Sequence, residues 1–581
     1  MKELAGLTVL VLGLGDSGLA MARWCARCGA HVRVWDSREQ PPQARALREA
    51  VPQAELLTGP LPASAVEGAA RVLKSPGLAP HDERIAPALE EARRRGVPVQ
   101  GELDLFAQAL AALEQERRYA PAVLAVTGTN GKTTTASLTA LLVERAGKRV
   151  ALAGNIGPTM LDTLARALDE EPLDETVAAD AVPAGDEAAA HAQQTPVEPI
   201  EQPGVEPADD PDAPSPAAAD AQEGVPLELS PPAAPAPVFR ALHEVWVLEL
   251  SSFQLDGVQG FEPSAAVVLN LSQDHLDWHG SMEAYAAAKA RIYGRESVMV
   301  VNREDPLVEA MVPPPVPGKG RFARPVERRV VRFGLDAPTR PGDFGLIVEN
   351  GMAWLVRAME ADETLRLGRT RKRDDEEEVL HIQRLMPADA LRIRGRHNAA
   401  NALAALALAT AIGCPLAPML HGLREYRGEP HRVESVAIVG EVEYFDDSKG
   451  TNVGATVAAL QGLGEERAPA RLAVILGGDG KGQDFAPLAE PIARYARYVA
   501  TIGRDAAAIE QALAAAGVPV ERHETLQAAV RACAARTQPG DAVLLSPACA
   551  SLDMFRNYAH RAEVFVTEVQ ALAAERGEML T

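Results

Sequence analysis

The sequence predicts an α/β protein made of three consecutive α/β units, and three observations lead to this expectation. The 581 residues correspond to roughly three or four domains of ~150 residues each. Hydrophobic residues make up 47% of the chain, which is enough for several cores. Short apolar strands alternate with helical stretches in three separate parts of the chain, and this alternation predicts mainly parallel sheets covered by helices. We expect units at 1–110, 111–428 and 429–581.

The first unit reads as a Rossmann-like sheet that binds a nucleotide. Gly13 to Gly18 (GLGDSG) follow an apolar strand and precede a helix, and Asp36 ends the next strand. This spacing fits the glycine-rich dinucleotide fingerprint and, taken alone, favours an NAD enzyme. The physical requirement is only a phosphate or diphosphate at a helix start, so a UDP diphosphate would satisfy the motif equally well.

The central unit carries a phosphate loop, which predicts a P-loop ATPase-like α/β domain. The run 127–134 (TGTNGKTT) follows the strand AVLAVTG and opens a helix over Thr133–Arg145. Small residues let backbone N–H groups approach the phosphates, Lys132 can reach the β- and γ-phosphates, and the Thr133 hydroxyl can bind Mg²⁺. Val126 stands where the first glycine of the common motif belongs, but strand, loop and helix together predict nucleotide binding.

An acidic insert interrupts the central unit. Residues 169–238 contain seventeen Asp or Glu, fourteen Pro and no Lys or Arg, so the segment contributes −17 of the net charge of −22. We expect this segment to be disordered, since it has too little apolar surface to offset the entropy of ordering. Because most of the acidity belongs to this segment, it indicates little about the active site. The negative net charge also gives no reason to expect a nucleic-acid partner. A second charged stretch, 369–378, reads as a surface loop.

The sequence favours a soluble cytoplasmic protein without membrane insertion. The N-terminus has no apolar signal segment and reads as a strand that opens a domain. The longest apolar run, Ala399–Leu420, is rich in alanine and is broken by Gly413 and Pro415. A buried helix explains that run better than a membrane span does.

Several polar motifs of the central unit are weak individually. Glu249 ends the strand VWVLE, which should lie beside the phosphate-loop strand, where a carboxylate can hold Mg²⁺. The run DHLDWH, which contains His275, reads by itself as a polar loop, and Lys289 as an ordinary surface charge. Asn398 and Asn401 share one face of a helix start and can meet one ligand.

The third unit predicts a dinucleotide-binding-like α/β domain without a glycine-rich fingerprint. Four polar runs each follow a strand, where α/β sheets present ligand-binding loops. The runs are PHRVE at 430–434, FDDSKGTN at 445–452, GGDGK at 477–481 and SPACASLD at 546–553. Their Arg, Lys and Ser content predicts an anionic ligand that is held from a second side.

These motifs, in this order, resemble the Mur ligase family, and in particular its branch that adds D-glutamate. The resemblance covers nearly the whole chain outside 169–238 and includes TGTNGKTT, GNIG, ELSSFQL, AAKARIY, GRHNAANALAA and LGGDGKG. It implies a first domain that binds UDP, a second that binds ATP, and a third that closes over the site. The implied reaction is ATP-dependent addition of D-glutamate to UDP-N-acetylmuramoyl-L-alanine through an acyl phosphate, with two Mg²⁺ ions, in peptidoglycan precursor synthesis. We expect a monomer.

The resemblance also implies roles for individual residues. Contacts to the UDP-substrate are implied for Ser17, Asp36, Ser37, Arg38, Gly77 and Asn155. Contacts to ATP are implied for Gly128, Thr129, Asn130, Gly131, Lys132, Thr133, Thr134, Asn398, Asn401, Arg432, Asp447 and Lys449. Contacts to D-glutamate are implied for Thr451, Lys481, Ser551, Leu552 and Tyr558, the last being a departure from an expected Phe. Metal ligands are implied at Thr133, Glu249, His275 and, once carbamylated, Lys289; catalytic roles are implied for Lys132, Lys289, His275 and His431.

Three other readings remain open at this point. An NAD-linked dehydrogenase would explain 13–18 and Asp36 but not Lys132, Glu249 or the loops of the third unit. A sister ligase, acting with folylpolyglutamate or a diamino acid, would share the chemistry and differ in the acceptor; LSPACASLD together with DSKGTN favours D-glutamate. A non-catalytic ATP-binding protein is disfavoured because every expected catalytic position is occupied.

Overall fold

The computed structural model describes residues 2–172, 237–318, 325–360 and 380–578. Residues 1–171 and 239–581 group into one compact unit, to which the following account refers. Most of the predicted disordered insert, and the predicted surface loop at 369–378, lie outside the described residues. The start of the insert was placed too early, because Asp169 and Glu170 end a helix and Glu171 accepts hydrogen bonds from the backbone N–H groups of 240–242.

The N-terminal part contains a parallel sheet, as the sequence predicted, and this sheet has five strands. Its strands lie in the order β3-β2-β1-β4-β5. They are β1 (Thr8–Leu12), β2 (His31–Asp36), β3 (Glu55–Thr58), β4 (Arg71–Lys74) and β5 (Val99–Gln100). The helices are α1 (Asp16–Arg27), α2 (Ala44–Ala50), α3 (Ala86–Arg95) and α4 (Glu102–Arg117). The predicted boundary at residue 110 falls inside α4, and the division of the chain into domains stays a prediction.

A six-stranded parallel sheet follows, in the order β11-β10-β9-β6-β8-β7. Its strands are β6 (Ala122–Thr127), β7 (Val150–Gly154), β8 (Val245–Glu249), β9 (Ala265–Val268), β10 (Val298–Asn302) and β11 (Val330–Phe333). The helices are α5 (Lys132–Arg145), α6 (Met160–Glu170), α7 (Ser252–Leu255), α8 (Leu276–His279), α9 (Met282–Ala290) and α10 (Pro306–Glu309). Strand β8 lies directly beside the phosphate-loop strand β6, as predicted, with Glu249 opposite Val126.

A three-stranded antiparallel sheet, which the sequence analysis did not predict, completes the central part. It consists of β12 (Phe344–Glu349), β13 (Met352–Glu360) and β14 (Leu380–Pro387). Two helices follow, α11 (Arg396–Ala411) and α12 (Leu416–Glu425). The apolar run at 399–420 is thus a buried helix, as predicted, followed after Gly413 by the start of a second one. None of the helices within the described residues combines the length and the apolar character needed to cross a bilayer.

The C-terminal part holds a six-stranded sheet in the order β15-β16-β20-β17-β18-β19. The strands are β15 (Glu434–Val439), β16 (Val442–Asp446), β17 (Leu472–Gly477), β18 (Ala496–Ile502), β19 (Val520–Arg522) and β20 (Ala542–Leu545). The helices are α13 (Val453–Arg467), α14 (Ala489–Tyr495), α15 (Ala506–Leu513), α16 (Leu526–Arg536) and α17 (Tyr558–Glu575). Only β15 pairs antiparallel; β16, β20 and β17 are parallel neighbours, so the loops that follow them meet at one edge of the sheet.

Candidate active site

A cavity of about 560 Å³ opens at the carboxyl edge of the N-terminal sheet. The predicted UDP-substrate residues all line it: Ser17, Asp36, Ser37, Arg38, Gly77 and Asn155. Arg84 also lines it, and its Nη1 donates a hydrogen bond to Ser37 Oγ at 3.1 Å. Arg84 lies in an exposed loop without a recognisable motif, so the sequence analysis missed this cation.

Asp36 organises the glycine-rich loop beside this cavity. Its Oδ2 accepts a hydrogen bond from the Leu14 backbone N–H at 2.8 Å, and its Oδ1 accepts one from Arg38 Nε at 2.8 Å. The side-chain hydrogen bonds from Arg38 are the main reason why the pKa of this buried carboxyl is lowered to about 2. The carboxylate therefore stays charged at neutral pH and keeps both the loop and Arg38 in place.

The phosphate loop connects β6 to α5, and glycine is required at its end. Gly131 has φ of +81°, and a Cβ atom at this position would lie 2.5 Å from Asn401 Oδ1. Lys132 Nζ donates hydrogen bonds to the carbonyl oxygens of Gly128 and Thr129, at 3.0 and 2.7 Å. Burial lowers the pKa of Lys132, and the nearby Glu249 carboxylate opposes this effect.

Two residues that the sequence analysis missed fix the loop from the side. Asn270, after β9, accepts a hydrogen bond from the Asn130 backbone N–H at 2.8 Å and donates one to the Asn130 carbonyl at 3.1 Å. The Tyr285 hydroxyl lies 3.1 Å from Thr129 Oγ1. Neither residue belongs to a recognisable local motif, since both act on a segment about 140 or more residues away in sequence.

Glu249 lies between the phosphate loop and the cavity at the N-terminal sheet. The side chain is buried, and its Oε1 accepts a hydrogen bond from Asn155 Nδ2 at 2.8 Å. Its Oε2 is also buried and has no hydrogen-bond partner within the described part of the chain. A buried carboxylate oxygen without a partner is costly unless a cation completes it. The geometry therefore fits a metal ligand at this position.

His275 and Lys289 flank the same region. His275 adopts a left-handed backbone, with φ of +53°, just before α8, and its ring lies 4.7 Å from that of Phe253. Desolvation lowers the pKa of His275, and the charges of Lys481, Lys132 and Lys289 act in the same direction, whereas Asp274 opposes them. The imidazole is therefore neutral at physiological pH, which is the form that binds metals.

Lys289 is fully buried on α9, contrary to the surface charge that the motif suggested by itself. Its Nζ donates hydrogen bonds to the Gly128 carbonyl at 2.9 Å and to Thr127 Oγ1 at 3.2 Å. Burial, followed by the charge of Lys132, lowers its pKa well below the ordinary lysine value. A neutral lysine amine is a nucleophile, so the site suits covalent modification of this side chain.

A smaller cavity, of about 80 Å³, lies on the other side of the phosphate loop. It is lined by the predicted ATP residues Asn130, Gly131, Thr134, Asn398, Asn401, Arg432, Asp447 and Lys449. Asn401 Nδ2 donates a hydrogen bond to Asn398 Oδ1 at 3.1 Å, which confirms that the two amides share one face of α11. Burial raises the pKa of Asp447 to about 7, while a hydrogen bond from Ser546 opposes this.

Two hydrogen bonds join the C-terminal part directly to the phosphate loop. Arg432 Nη2 donates to Thr133 Oγ1 at 2.6 Å, across 299 residues of sequence. Asn452 Nδ2 donates to Asn130 Oδ1 at 3.1 Å, across 322 residues. The third part of the chain therefore lies against the ATP-binding loop in this structure.

The predicted catalytic residue His431 lies at this seam. Its Nδ1 is 2.7 Å from Oδ2 of the fully buried Asp446, and its backbone N–H donates to Glu434 Oε2 at 2.8 Å. The aspartate was not predicted to act on His431. The pairing orients the imidazole and leaves Nε2 as the nitrogen available to a ligand.

The predicted D-glutamate residues lie on loops at the carboxyl edge of the C-terminal sheet and on the first turn of α17. Ser551 is buried and Thr451 and Tyr558 are half-buried, whereas Lys481 is exposed and the Leu552 side chain is 73% exposed. Lys449 Nζ lies 4.0 Å from the centroid of the Tyr558 ring, a cation–π contact. The hydroxyl that distinguishes Tyr558 from the expected Phe leaves this contact in place.

The sequence of the chain matches known protein families. Three Mur ligase family models match the chain: the MurD-like N-terminal domain at 7–101, the middle domain at 126–180 and 221–316, and the glutamate ligase domain at 431–549. In the solved structure of the UDP-N-acetylmuramate-alanine ligase MurC from Thermotoga maritima, 18% of residues are identical, with a TM-score of 0.49 over 97% of this chain and 99% of that one.

Two curated relatives are much more similar in sequence. The UDP-N-acetylmuramoylalanine--D-glutamate ligase of Albidiferax ferrireducens is 54% identical over 579 residues, which cover 99% of this chain and 98% of that protein. The protein of the same name from Burkholderia mallei (strain SAVP1) is 52% identical over 577 residues, which cover 98% of each chain. By its three matching domains and its near-complete alignment with these relatives, the chain belongs to the Mur ligase family.

Proposed function

We propose that the chain is an ATP-dependent ligase that joins D-glutamate to UDP-N-acetylmuramoyl-L-alanine in peptidoglycan precursor synthesis. The observation that carries the proposal is the identity of 54% over 99% of the chain with a relative named for this reaction. The NAD-dehydrogenase reading does not account for that similarity, nor for the central phosphate loop. We further propose that the enzyme acts as a monomer in the cytoplasm.

The reaction we propose has two stages. An oxygen of the L-alanyl carboxylate attacks the γ-phosphorus of ATP, the bond to the β–γ bridging oxygen breaks, and an acyl phosphate and ADP result. The D-glutamate amine, neutral after losing one proton, attacks the acyl carbon, and the nitrogen then loses a second proton. The carbon–oxygen bond to phosphate then breaks, which leaves an amide and inorganic phosphate.

The phosphate loop would hold ATP through the residues already named. Lys132 donates to two loop carbonyls and would offer its ammonium to the β- and γ-phosphates. Arg432 reaches the loop from the C-terminal part and would add a second cation beside Thr133. Positive charge in a water-poor site stabilises the transferring phosphoryl group, whose negative charge spreads over its oxygens in the transition state.

We propose that the site binds two Mg²⁺ ions. Glu249, with its partnerless buried oxygen, and the Thr133 hydroxyl would hold one ion, and the neutral imidazole of His275 would hold the other. Bound Mg²⁺ would supply positive charge that offsets the charge of the phosphates. Asn155 would keep Glu249 oriented and would itself contact the muramoyl part of the substrate.

Lys289 would bind the Mg²⁺ ion that His275 holds, but only after carbamylation. As an ammonium it would repel a cation, but its lowered pKa makes a neutral amine available. The amine nitrogen would attack the carbon of CO₂ and lose a proton. The product would be a carbamate, whose carboxylate oxygens can bind a metal ion. Carboxylate oxygens are the ligands that Mg²⁺ prefers.

The C-terminal part would bring D-glutamate to the acyl phosphate. His431, oriented by Asp446, is suited to accept the proton that the amine loses, and Thr451, Lys481, Ser551, Leu552 and Tyr558 would contact the amino acid. Its contacts with the phosphate loop through Arg432 and Asn452 would help to exclude water, which otherwise hydrolyses an acyl phosphate.

The test is phosphate release by purified protein with ATP, Mg²⁺ and UDP-N-acetylmuramoyl-L-alanine. Parallel reactions contain D-glutamate, L-glutamate, meso-diaminopimelate or no amino acid. We expect release that depends on D-glutamate alone. Release with another acceptor would indicate a sister specificity, and no release with any acceptor despite ATP binding would favour a binding protein.

A further inference from the structure

A buried guanidinium lies beneath the loops that we propose to bind D-glutamate. Arg561, on the first turns of α17, has no exposed surface. Its Nη2 donates a hydrogen bond to the Ser448 carbonyl at 2.8 Å, and its Nη1 donates one to the Cys549 carbonyl at 3.2 Å. No motif in the sequence marked this residue.

Among the residues that the structure describes, none forms an ion pair with Arg561. Its hydrogen bonds go to two uncharged carbonyls, and its Nε has no partner anywhere in the described ranges. Burial lowers its pKa to about 10, so the group is still protonated at neutral pH, and the charges of Cys549, Asp553, Asp446 and Asp447 oppose that lowering.

The nearby carboxylates have other partners. Asp446 pairs with His431, Asp447 accepts a hydrogen bond from Ser546, and Asp553 accepts one from the Arg504 backbone N–H. Burying a charge without a paired counter-charge is unfavourable for folding. A neutral donor could make the same two hydrogen bonds to carbonyls. The stability of the fold therefore does not by itself explain why a charged side chain is buried here.

The two carbonyls belong to the two loops that carry predicted D-glutamate residues. Ser448 precedes Lys449 and Thr451, and Cys549 precedes Ser551 and Leu552. Arg561 thus joins the two loops from below, although they are about 100 residues apart in sequence.

The first turn of α17 also contacts the side chain of Lys449, in the loop that contains Ser448. Tyr558 is three residues before Arg561, so the two side chains lie on one face of α17. The Tyr558 ring contacts Lys449, and Arg561 holds the carbonyl of the preceding residue. The first turn of α17 therefore determines where both the cation and the backbone of this loop lie.

We infer that Arg561 is a positioning residue for the acceptor amino acid. It holds the two D-glutamate loops at a fixed separation, and its charge contributes a positive potential that favours a ligand with two carboxylates. The inference rests on the proposed function, because it assigns the residue to the acceptor side of that reaction.

The test compares Arg561→Met and Arg561→Lys with the wild type in steady-state phosphate release. For Arg561→Met we expect KM for D-glutamate to rise roughly tenfold or more, with KM for ATP and for UDP-N-acetylmuramoyl-L-alanine changed less than about twofold. Arg561→Lys keeps the charge but cannot span both carbonyls as the planar fork does, so its KM for D-glutamate should be intermediate.

Arg328→Met is the matched control. Arg328 also donates to backbone carbonyls, of Gly294, Tyr293 and Ser297, and also has a buried Nε without a partner in the described structure, but it lies at the edge of the central sheet. We expect this variant to lower the melting temperature without changing KM for D-glutamate.

The outcomes separate the inference from the proposed function. Unchanged KM for D-glutamate in folded Arg561 variants, or an equal rise of all three KM values, would overturn the inference. If Arg561→Met fails to fold, Arg561→Lys decides by the same criterion. A wild type that shows no D-glutamate-dependent release would instead refute the proposed function.

Discussion

The hydrogen bond between Asn452 and the phosphate loop leads to a prediction about ATP binding. Asn452 has two roles in the structure. Its Nδ2 donates to Asn130 Oδ1 at 3.1 Å, and its Oδ1 accepts from the Ala455 backbone N–H at 2.8 Å as the N-cap of α13. Serine at this position keeps the cap but is too short to reach Asn130, so Asn452→Ser removes only the contact with the phosphate loop.

The size of the effect follows from the contact that is lost. A neutral hydrogen bond contributes about 0.5–1.5 kcal/mol net. If that free energy favours the arrangement that holds ATP, its loss raises KM for ATP about two- to tenfold. The melting temperature of Asn452→Ser should stay near that of the wild type. Asn452→Ala should show the same KM change and an additional destabilisation of about 1 kcal/mol from the lost cap.

The assay is phosphate release at saturating D-glutamate and UDP-substrate with varied ATP, together with thermal unfolding of each variant. Thr525→Ser is a control, because Thr525 caps α16 and lies away from the site. A folded Asn452→Ser with wild-type KM for ATP would refute the reasoning, since it would show that the contact does not favour ATP binding.

Three further predictions concern ionisable side chains. Lys132→Ala should abolish turnover while the melting temperature changes little; retained phosphate release would remove Lys132 from the site. Lys289→Ala should be nearly inactive and partly rescued by short carboxylates; full activity without them would exclude a role in catalysis. Glu102 is buried, so its pKa rises from 4.5 to about 7, which makes the folded state bind more protons than the unfolded state in this window. Stability should therefore fall as pH rises from about 4.5 to 7, and Glu102→Gln should gain up to about 3 kcal/mol over wild type at pH 8 but little at pH 4.5; an equal gain at both pH values in urea unfolding would contradict this.

Sequence patterns were most informative where chain neighbours make the structure. The phosphate loop needs a strand, a short glycine-rich turn and a helix start, all within the segment from β6 to α5. The parallel strands β17 and β20 were also predicted, because strands buried on both faces are continuous apolar runs. The antiparallel sheet β12–β14 was missed because its outer strands mix apolar residues with exposed polar ones, such as Glu349 and Arg384.

By itself, therefore, the sequence determined the three-part α/β organisation and, through the order of its motifs, the family. Those features depend on residue types at fixed local spacings. Only the tertiary structure decided that Asn155 holds Glu249, that Asn270 fixes the phosphate loop, and that the buried Arg561 donates to carbonyls of two separate loops. The physical reason is that most of these contacts join residues about a hundred positions apart, and their free energy depends on burial, which no local pattern specifies.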